Sequence, residues 1–337
     1  MKIEGDPIIN KMFIFKICFD LFIIKGMLTT KLDNPNKLLG LVEGNKLKFL
    51  HEVNTFKGLF SIVIDWVFIV LCVYLTEKYF NWFFYIASIV IIGSRYLSLG
   101  LIMHESVHGS ISKNKKLNDF VSELFCAWPL FISMRSYRVK HLTHHQYLNT
   151  DKDPDYTSKF DENWRYPMNL SKFIKIMLYQ LSGFGVFETF KVMSSSQMEI
   201  QKDKTPLWYN LSRISFYFLI IFVFVYLGKG ILLFKYWIIP FATWTQVINR
   251  LRRVAEHSGL ENRHPSMQTR TTKHGVFARF FLAPQNIAFH TEHHLYPKVP
   301  CYNLRKLHDE LMKHESIQEN FYISKSYVSV YKDCVKR

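Results

Sequence analysis

The stretch LFSIVIDWVFIVLCVYL, residues Leu59 to Leu75, carries a single charged side chain, Asp65. A helix of about 20 predominantly apolar residues crosses the hydrocarbon core of a bilayer. After the short segment Thr76-Glu77-Lys78, a second apolar run extends from Tyr79 to Met103, with Arg95 as its only charge. Because so short a connection leaves no room for a domain, the two runs predict a helical hairpin across a membrane.

A second pair of apolar runs lies in the C-terminal half of the chain. The run Ile214 to Leu227 ends at Gly228-Lys229-Gly230, which is typical of a tight turn, and Ile231 to Ile248 follows, interrupted by Lys235 and Pro240. The sequence therefore predicts an all-α integral membrane protein with four transmembrane helices in two hairpins. Their predicted bounds are about 59–75, 79–103, 212–228 and 231–250.

Two hairpins place both termini and every long connection on one side of the membrane. The segment Arg250 to Arg337 holds 15 Lys and Arg against 8 Asp and Glu, an excess that is typical of cytoplasmic segments. We predict an N-terminal cytosolic segment, residues 1–55, and a multi-pass membrane domain, residues 56–330. Within that domain, residues 104–211 and 251–330 form a cytosolic helical cap. The run Met12 to Ile24 lacks a small-residue cleavage site and predicts no signal peptide, and Met27 is an alternative start that would make residues 1–26 an upstream extension.

Charge and cysteine content narrow the function classes. No basic helix, finger or RNP-like motif accompanies the net charge of +16, so we predict a membrane partner and no nucleic acid. The cysteines form no C-x-x-C pair, which predicts neither a disulfide framework nor a cysteine zinc site. They are Cys18, Cys72, Cys126, Cys301 and Cys334.

Nine of the 14 histidines fall in four groups that adjoin the predicted spans. They are His104 and His108; His141, His144 and His145; His257; and His290, His293 and His294. Spacings of three and four residues bring helical side chains onto one face, so each multi-histidine group presents its imidazoles to a common point. An H-x-x-H-H pattern arises by chance about 0.02 to 0.03 times in such a chain, and this chain has two.

Neutral imidazole binds zinc, copper, iron and nickel. Nine histidines are too many for one four-coordinate zinc and suit two metals with four or five ligands each. Because two open-site irons can take up oxygen and share its reduction, we predict iron, while the histidines by themselves leave the other metals as alternatives.

With Asp153-Pro-Asp155 after the second box and Leu295-Tyr-Pro297 after the third, the chain resembles the membrane fatty acid desaturase family from Leu99 to Leu307. The resemblance implies a di-iron centre, molecular oxygen as oxidant, and a fatty-acyl chain that enters between the crossings. It implies desaturation of the fatty-acyl chain of a lipid, with hydroxylation of a lipid, carotenoid or alkane as the alternative within the superfamily.

The chain also departs from the pattern of that family. Some members place Asn four residues before the isolated histidine, where it reaches a metal through water; this chain has Arg253 there, and Asn286 is the candidate substitute. No His-Pro-Gly-Gly stretch occurs, so we expect a separate electron donor, cytochrome b5-like or ferredoxin-like, with its reductase. The third box begins with His290 rather than Gln, unlike front-end desaturases.

Acidic residues beside the boxes are predicted to orient imidazoles from outside the metal coordination sphere, with solvated charge or helix capping as the alternative. These residues are Asp153, Asp155, Glu256, Glu105 and Glu292, to which Asn286 is added. No catalytic residue beyond the metal ligands is predicted. The remaining histidines are predicted to be surface residues, namely His51, His264, His274, His308 and His314.

Three other classes of protein fit parts of the sequence. His104, Glu105 and His108 also spell the zinc-protease motif, with the glutamate as general base, but seven grouped histidines then have no role. A carboxylate di-iron bundle uses the motif Glu-x-x-His, which occurs at Glu105 to His108 and at Glu261 to His264. Such a bundle also requires two further inward glutamates. A transporter would carry its ligands near the membrane midplane rather than at one end of the crossings.

Overall fold

A computed structural model describes residues 40–155, 161–191, 205–260 and 268–336. Met12 to Ile24, Met27, Glu261 and His264 lie outside the described residues. Four helical stretches within the described part are long and apolar enough to cross a membrane, as predicted. They are Gly44–Lys78, Trp82–Val107, Leu207–Tyr226 and Gly230–His257.

The first stretch consists of two helices, α1 (Gly44–Leu50) and α2 (Thr55–Lys78), and the second is α3 (Trp82–Val107). The side chain of Asn54 accepts the backbone N–H of Lys57 at the start of α2, and Asn81 accepts that of Phe84 at the start of α3. Asparagine side chains thus determine where both helices begin, because they satisfy amides that have no partner within the helix.

These bounds correct the predicted ones. Residues 76–78, predicted as the connecting turn, belong to α2, and the turn lies at residues 79–81. Helix α3 continues past Met103 to Val107, so His104 is helical and His108 is its C-cap. Apolar runs report where lipid would surround a helix, whereas hydrogen bonding lets the helix extend beyond them.

The C-terminal spans are α7 (Leu207–Tyr226) and a composite stretch that ends at His257 rather than near residue 250. The predicted turn between them is present, and Gly228 adopts a φ of 66° there, a conformation that costs glycine little. The composite stretch consists of α8 (Gly230–Leu233), a π-helical turn (Phe234–Ile238), α9 (Ile239–Ala242) and α10 (Trp244–His257).

The remaining elements precede or follow the spans. Between α3 and α7 lie α4 (Lys115–Ser122), a π-helical turn (Glu123–Ala127), 3-10 turns (Trp128–Leu130 and Glu162–Trp164), α5 (Met134–Tyr147), β1 (Met168–Asn169) and α6 (Leu170–Leu181). After α10 lie β2 (Thr271–Thr272), α11 (Val276–Phe281), α12 (His290–Leu295), α13 (Leu304–Leu311), α14 (Glu315–Asn320), β3 (Ile323–Ser324), α15 (Tyr327–Cys334) and β4 (Val335–Lys336), with 3-10 turns at Pro284–Asn286 and Cys301–Asn303.

The short strands modify the all-α prediction. β1 pairs in parallel with β4, and β2 pairs in parallel with β3, with two residues in each strand. Strands this short carry no alternating apolar pattern that a sequence could reveal. The described chain is therefore mostly helical, and these two pairs tie its C-terminal segment to the regions beside α6 and α12.

Packing distinguishes the spanning helices. From Ile92 to Leu99 and from Leu101 to Val107, every residue of α3 is buried, so this helix forms the centre of the molecule. Helix α7 buries only Tyr209, and its large apolar side chains face outward; Phe218 is 70% exposed and Tyr226 is 80% exposed. An apolar surface of this extent requires lipid or protein to cover it.

Candidate metal centre

The four histidine groups lie at the ends of four helices. His104 and His108 occupy the end of α3, and His257 is the last residue of α10. The second box lies in the last two turns of α5, and the third box begins α12. None of the nine histidines is exposed. Helix ends that converge in this way allow side chains far apart in sequence to meet at one point.

Five histidines form the first group. The ligand-capable nitrogens of His104, His108, His141, His145 and His293 all lie within 4.8 Å of one another. Nε2 of His141 is 3.0 Å from that of His108 and 2.9 Å from that of His145. Two imidazole nitrogens that bind the same ion, each at about 2.0–2.1 Å, lie about 2.9 Å apart when the angle between them at the ion is about 90°. The spacing therefore fits a single metal ion.

The other four histidines form the second group. His144, His257 and His294 make one cluster, and His257 and His290 make another with Glu256. Nε2 of His290 is 2.8 Å from Nε2 of His257 and 3.1 Å from Nε2 of His294, which joins the two clusters. The rings of His145 and His294 stack with centroids 4.2 Å apart, so the first and second groups are direct neighbours.

Helical phase explains this division. On an α-helix, residues four apart differ by about 40° in direction, while the residue three positions on lies about 60° away on the other side. His141 and His145 accordingly share the first group, and His144 joins the second. In α12 the assignment is reversed, because His293 joins the first group and His294 the second. Each H-x-x-H-H box therefore serves both groups.

Burial keeps most of these imidazoles neutral. It lowers the pKa of His108 to about 3. It also lowers the pKa of five others well below the usual value, and neighbouring imidazoles lower it further; these are His141, His145, His290, His293 and His294. Because a metal ion binds the neutral ring, a low pKa leaves a lone pair available near neutral pH.

His144 differs from these because a carboxylate faces its other nitrogen. Its Nδ1 lies 2.9 Å from Oδ1 of the fully buried Asp153. Burial alone would lower the pKa of His144, but Asp153 and then Asp155 outweigh burial and raise it. Asp153 also accepts the backbone amides of Asn149 and Asp155, each at 2.8 Å. This arrangement fixes the ring with Nε2 free to face an ion.

The predicted supporting residues have different neighbours. Glu105 accepts the Cys301 amide at 2.8 Å, and its Oε1 lies 3.7 Å from Nδ1 of His104 and 3.8 Å from Nδ1 of His293. Asn286 donates its amide to the carbonyl of Cys301 at 2.9 Å. Within the described residues neither Nδ1 has a hydrogen-bond partner, so Glu105 lies beside two imidazoles without bonding to either.

Basic side chains surround Asp155. Lys140 lies 2.8 Å from its carboxylate and Arg253 lies 3.6 Å away. Although burial favours the neutral acid, these two cations outweigh it and lower the pKa of Asp155. The guanidinium of Arg253 also lies over the ring of Trp164, 4.5 Å from its centroid.

Sequence reasoning missed two features of the surroundings. Nδ1 of His308, predicted as a surface histidine, lies 2.5 Å from the carboxylate of the fully buried Glu292, which also accepts the hydroxyl of Thr271 at 2.6 Å. Buried Arg270 donates to the carbonyls of Ala255 and Ser258, each at 3.0 Å, and so caps the helix end that carries His257. No local pattern signals either contact.

A cavity of about 250 Å³ lies beside the first group, between α3, α5 and α10. Apolar side chains, including Leu101, Leu130 and Phe241, form much of its wall, and Arg135 and Arg252 also line it. The wall includes Tyr137, whose ring stacks on His141 at a centroid distance of 5.5 Å. An apolar cavity with a few polar groups is typical of a small-molecule site.

Four membrane-length helices and a buried cluster of histidines with metal-ligand spacing define a membrane protein that can hold metal ions. The chain belongs to the fatty acid desaturase family, whose model matches residues 80–325.

Individual relatives are similar over different shares of the chain. It is 28% identical over 260 residues to a dihydrorhizobitoxine desaturase from Bradyrhizobium elkanii, covering 74% of this chain and 73% of the relative. It is 23% identical over 296 residues to a chloroplastic omega-6 fatty acid desaturase from Glycine max, covering 81% of this chain and 65% of the relative, just under two thirds. It is 33% identical over 100 residues to an sn-1 acyl-lipid omega-3 desaturase (ferredoxin) from Synechocystis sp.. That alignment covers 30% of this chain and 25% of the relative.

Proposed function

We propose that this protein uses molecular oxygen and two histidine-bound irons to introduce a double bond into the fatty-acyl chain of a lipid. The observation that carries the proposal is the division of nine histidines into groups of five and four beside an apolar cavity. Membership of the fatty acid desaturase family supports the same reaction class.

In this proposal, α2 with α3 and α7 with the composite stretch form two membrane hairpins, and the histidines lie at their cytosolic ends. The excess of Lys and Arg after Arg250 supports that side. Residues 1–55 then precede the membrane domain, residues 56–330, on the cytosolic side.

The first iron would be held by the group of five histidines and the second by the group of four. When bound, the two irons supply the activation of oxygen that side-chain acids and bases cannot provide for an unactivated methylene. The chain's own contribution is orientation. Asp153 holds the ring of His144 by a hydrogen bond, and Glu105 lies beside those of His104 and His293.

The cavity would hold the acyl chain and exclude water from the reacting carbons. Its apolar wall suits methylene groups, while Arg135 and Arg252 suit a polar or anionic end of the substrate. Desaturation removes two hydrogens from the chain, reduces oxygen to water, and takes two further electrons and two protons. A separate cytochrome b5-like or ferredoxin-like donor with its reductase would supply those electrons.

A second candidate is desaturation of a different kind of substrate. The relative from Bradyrhizobium elkanii is named for dihydrorhizobitoxine, and its alignment covers nearly three quarters of both chains. In this candidate, the reaction would use the same metal centre.

The protease alternative conflicts with the surroundings of Glu105. Its side chain is buried, accepts the Cys301 amide and lies beside two imidazoles. A general base must instead reach the water that it activates. The three other histidines of the first group and the four of the second group have no role in a one-zinc site.

Expression in a host of known lipid composition, followed by mass spectrometry of its fatty acids, tests the main proposal. We expect a new double bond, and loss of that product in His144→Ala and His293→Ala. A new hydroxyl would replace desaturation by hydroxylation, and turnover of dihydrorhizobitoxine without a lipid product would favour the second candidate. One zinc per chain in place of two irons would contradict the metal assignment.

A further inference from the structure

The carboxylate of Glu256 lies on the metal-facing side of the second histidine group. Glu256 occupies the last turn of α10, beside His257, and is 4% exposed. Its Oε2 lies 3.7 Å from Nε2 of His290, and it shares one cluster of ligand-capable atoms with His257 and His290.

Orientation separates Glu256 from the carboxylates that support imidazoles. Asp153 contacts Nδ1 of His144, and Glu105 lies nearest Nδ1 of His104 and of His293. Glu256 instead faces Nε2 of His290. That nitrogen also faces Nε2 of His257 and of His294, at 2.8 and 3.1 Å, and is therefore the one available for an ion. Nδ1 of His290 has no partner within the described residues.

The distance suits a shared ion. Nitrogen and carboxylate ligands bind at about 2.0–2.2 Å. Two ligands of one ion therefore lie about 2.9 Å apart at a right angle and about 4.1 Å apart when opposite. The observed 3.7 Å falls between these limits.

The second group also has room for another donor. It has four histidines where the first has five. Arg253, at the position where some family members carry Asn, interacts with Asp155 and Trp164. Arg252, 3.0 Å from Glu256, offsets the negative charge of a buried carboxylate.

We propose that Glu256 is a direct ligand of the second metal ion, an inference that rests on the proposed function. The two ions are then inequivalent, with five imidazoles around the first and four imidazoles and one carboxylate around the second. A carboxylate is anionic and is a harder ligand than imidazole. Because it stabilises a higher positive charge, the second ion favours its more oxidised state.

The test uses full-length protein in detergent, loaded anaerobically with ⁵⁷Fe(II) and measured by Mössbauer spectroscopy and metal analysis. The variants are Glu256→Gln, which removes the ligand charge, and Arg252→Gln, a control that removes the ion pair and keeps the carboxylate; the readout is iron binding and not turnover, because Arg252 also lines the cavity. We expect E256Q to change or lose one of two iron signals and to weaken the binding of one iron, while R252Q keeps both signals.

Unchanged signals in E256Q, or the same change in both variants, would overturn the proposal. If E256Q does not fold, Glu256→Asp tests the same point, because it keeps the charge near Arg252 but withdraws the carboxylate by one methylene. One iron signal should then shift, and two unchanged signals overturn the proposal. A wild-type protein that binds no iron would instead contradict the proposed function itself.

Discussion

Nδ1 of His144 lies 2.9 Å from Oδ1 of Asp153 and 3.0 Å from Oδ2, inside a region closed to solvent. Asp153 follows the second histidine box by eight residues and returns to it through a turn closed by its own side chain. The contact therefore links the loop after α5 to the orientation of one imidazole.

We expect Asp153→Asn to weaken iron binding about 10- to 100-fold, because carboxylate partners of metal-binding histidines contribute that much. Competition with a chelator, followed by metal analysis, measures the change. Asp309→Asn serves as control, since Asp309 is exposed on α13. Equal retention of iron by both variants would contradict a supporting role for Asp153.

The two histidine groups predict separable metal losses. His141 belongs to the first group and His257 to the second. His141→Ala and His257→Ala should each retain about one iron per chain and lose turnover, because each removes one imidazole from a different site. Inductively coupled plasma mass spectrometry gives the count. Two retained irons in either variant would show that the replaced histidine is not a required ligand.

The cavity predicts an effect of side-chain volume at Gly100, which lies one helical turn before His104 and lines the cavity wall. A Cβ there would lie 3.4 Å from Cδ1 of Leu130, an ordinary contact. We expect Gly100→Ala to stay active and Gly100→Phe to lose about 10²-fold in turnover, since a displaced substrate loses its alignment. Both should bind two irons. Full activity of G100F would exclude this cavity as the substrate site.

The two charged residues of the first two apolar runs form an ion pair. Arg95 on α3 donates to Asp65 on α2 at 2.9 Å, and both side chains are buried. Asp65→Ala leaves an unpaired buried cation and should destabilise the protein by about 3–5 kcal/mol. Replacing both residues with Leu should recover most of that loss. Reversible unfolding in detergent measures the free energy of unfolding of each variant. A double variant whose loss equals the sum of the two single losses would argue against coupling between the residues.

Close packing at Gly58 predicts a backbone effect. An added Cβ on this residue of α2 would lie 2.1 Å from the carbonyl oxygen of Ile111, and the carbonyl belongs to the backbone, which cannot rotate away. We expect Gly58→Ala to cost about 1–3 kcal/mol through overpacking. Gly44→Ala is the matched control, because no atom lies within 4 Å of its added Cβ. Similar unfolding midpoints for both variants would contradict this interpretation.

Local sequence patterns determined which helices are long and apolar enough to cross a membrane and which side chains are available to bind metal. Apolar runs predicted four membrane-length helices because each run reports its own environment, and H-x-x-H-H spacing predicted clustered imidazoles because helical phase is local. The sequence also singled out Asp153 and Glu256 as supporting carboxylates without indicating which nitrogen either one faces.

Only the tertiary structure decided how these pieces combine. His141 and His144 are three residues apart, yet they belong to different groups. His293 joins His104, which lies nearly 190 residues earlier in the sequence. Glu256 faces Nε2 of His290, while Glu105 lies beside Nδ1 of His293. These contacts depend on the relative positions of α3, α5, α10 and α12. Long-range packing sets those positions, and local spacing does not encode them.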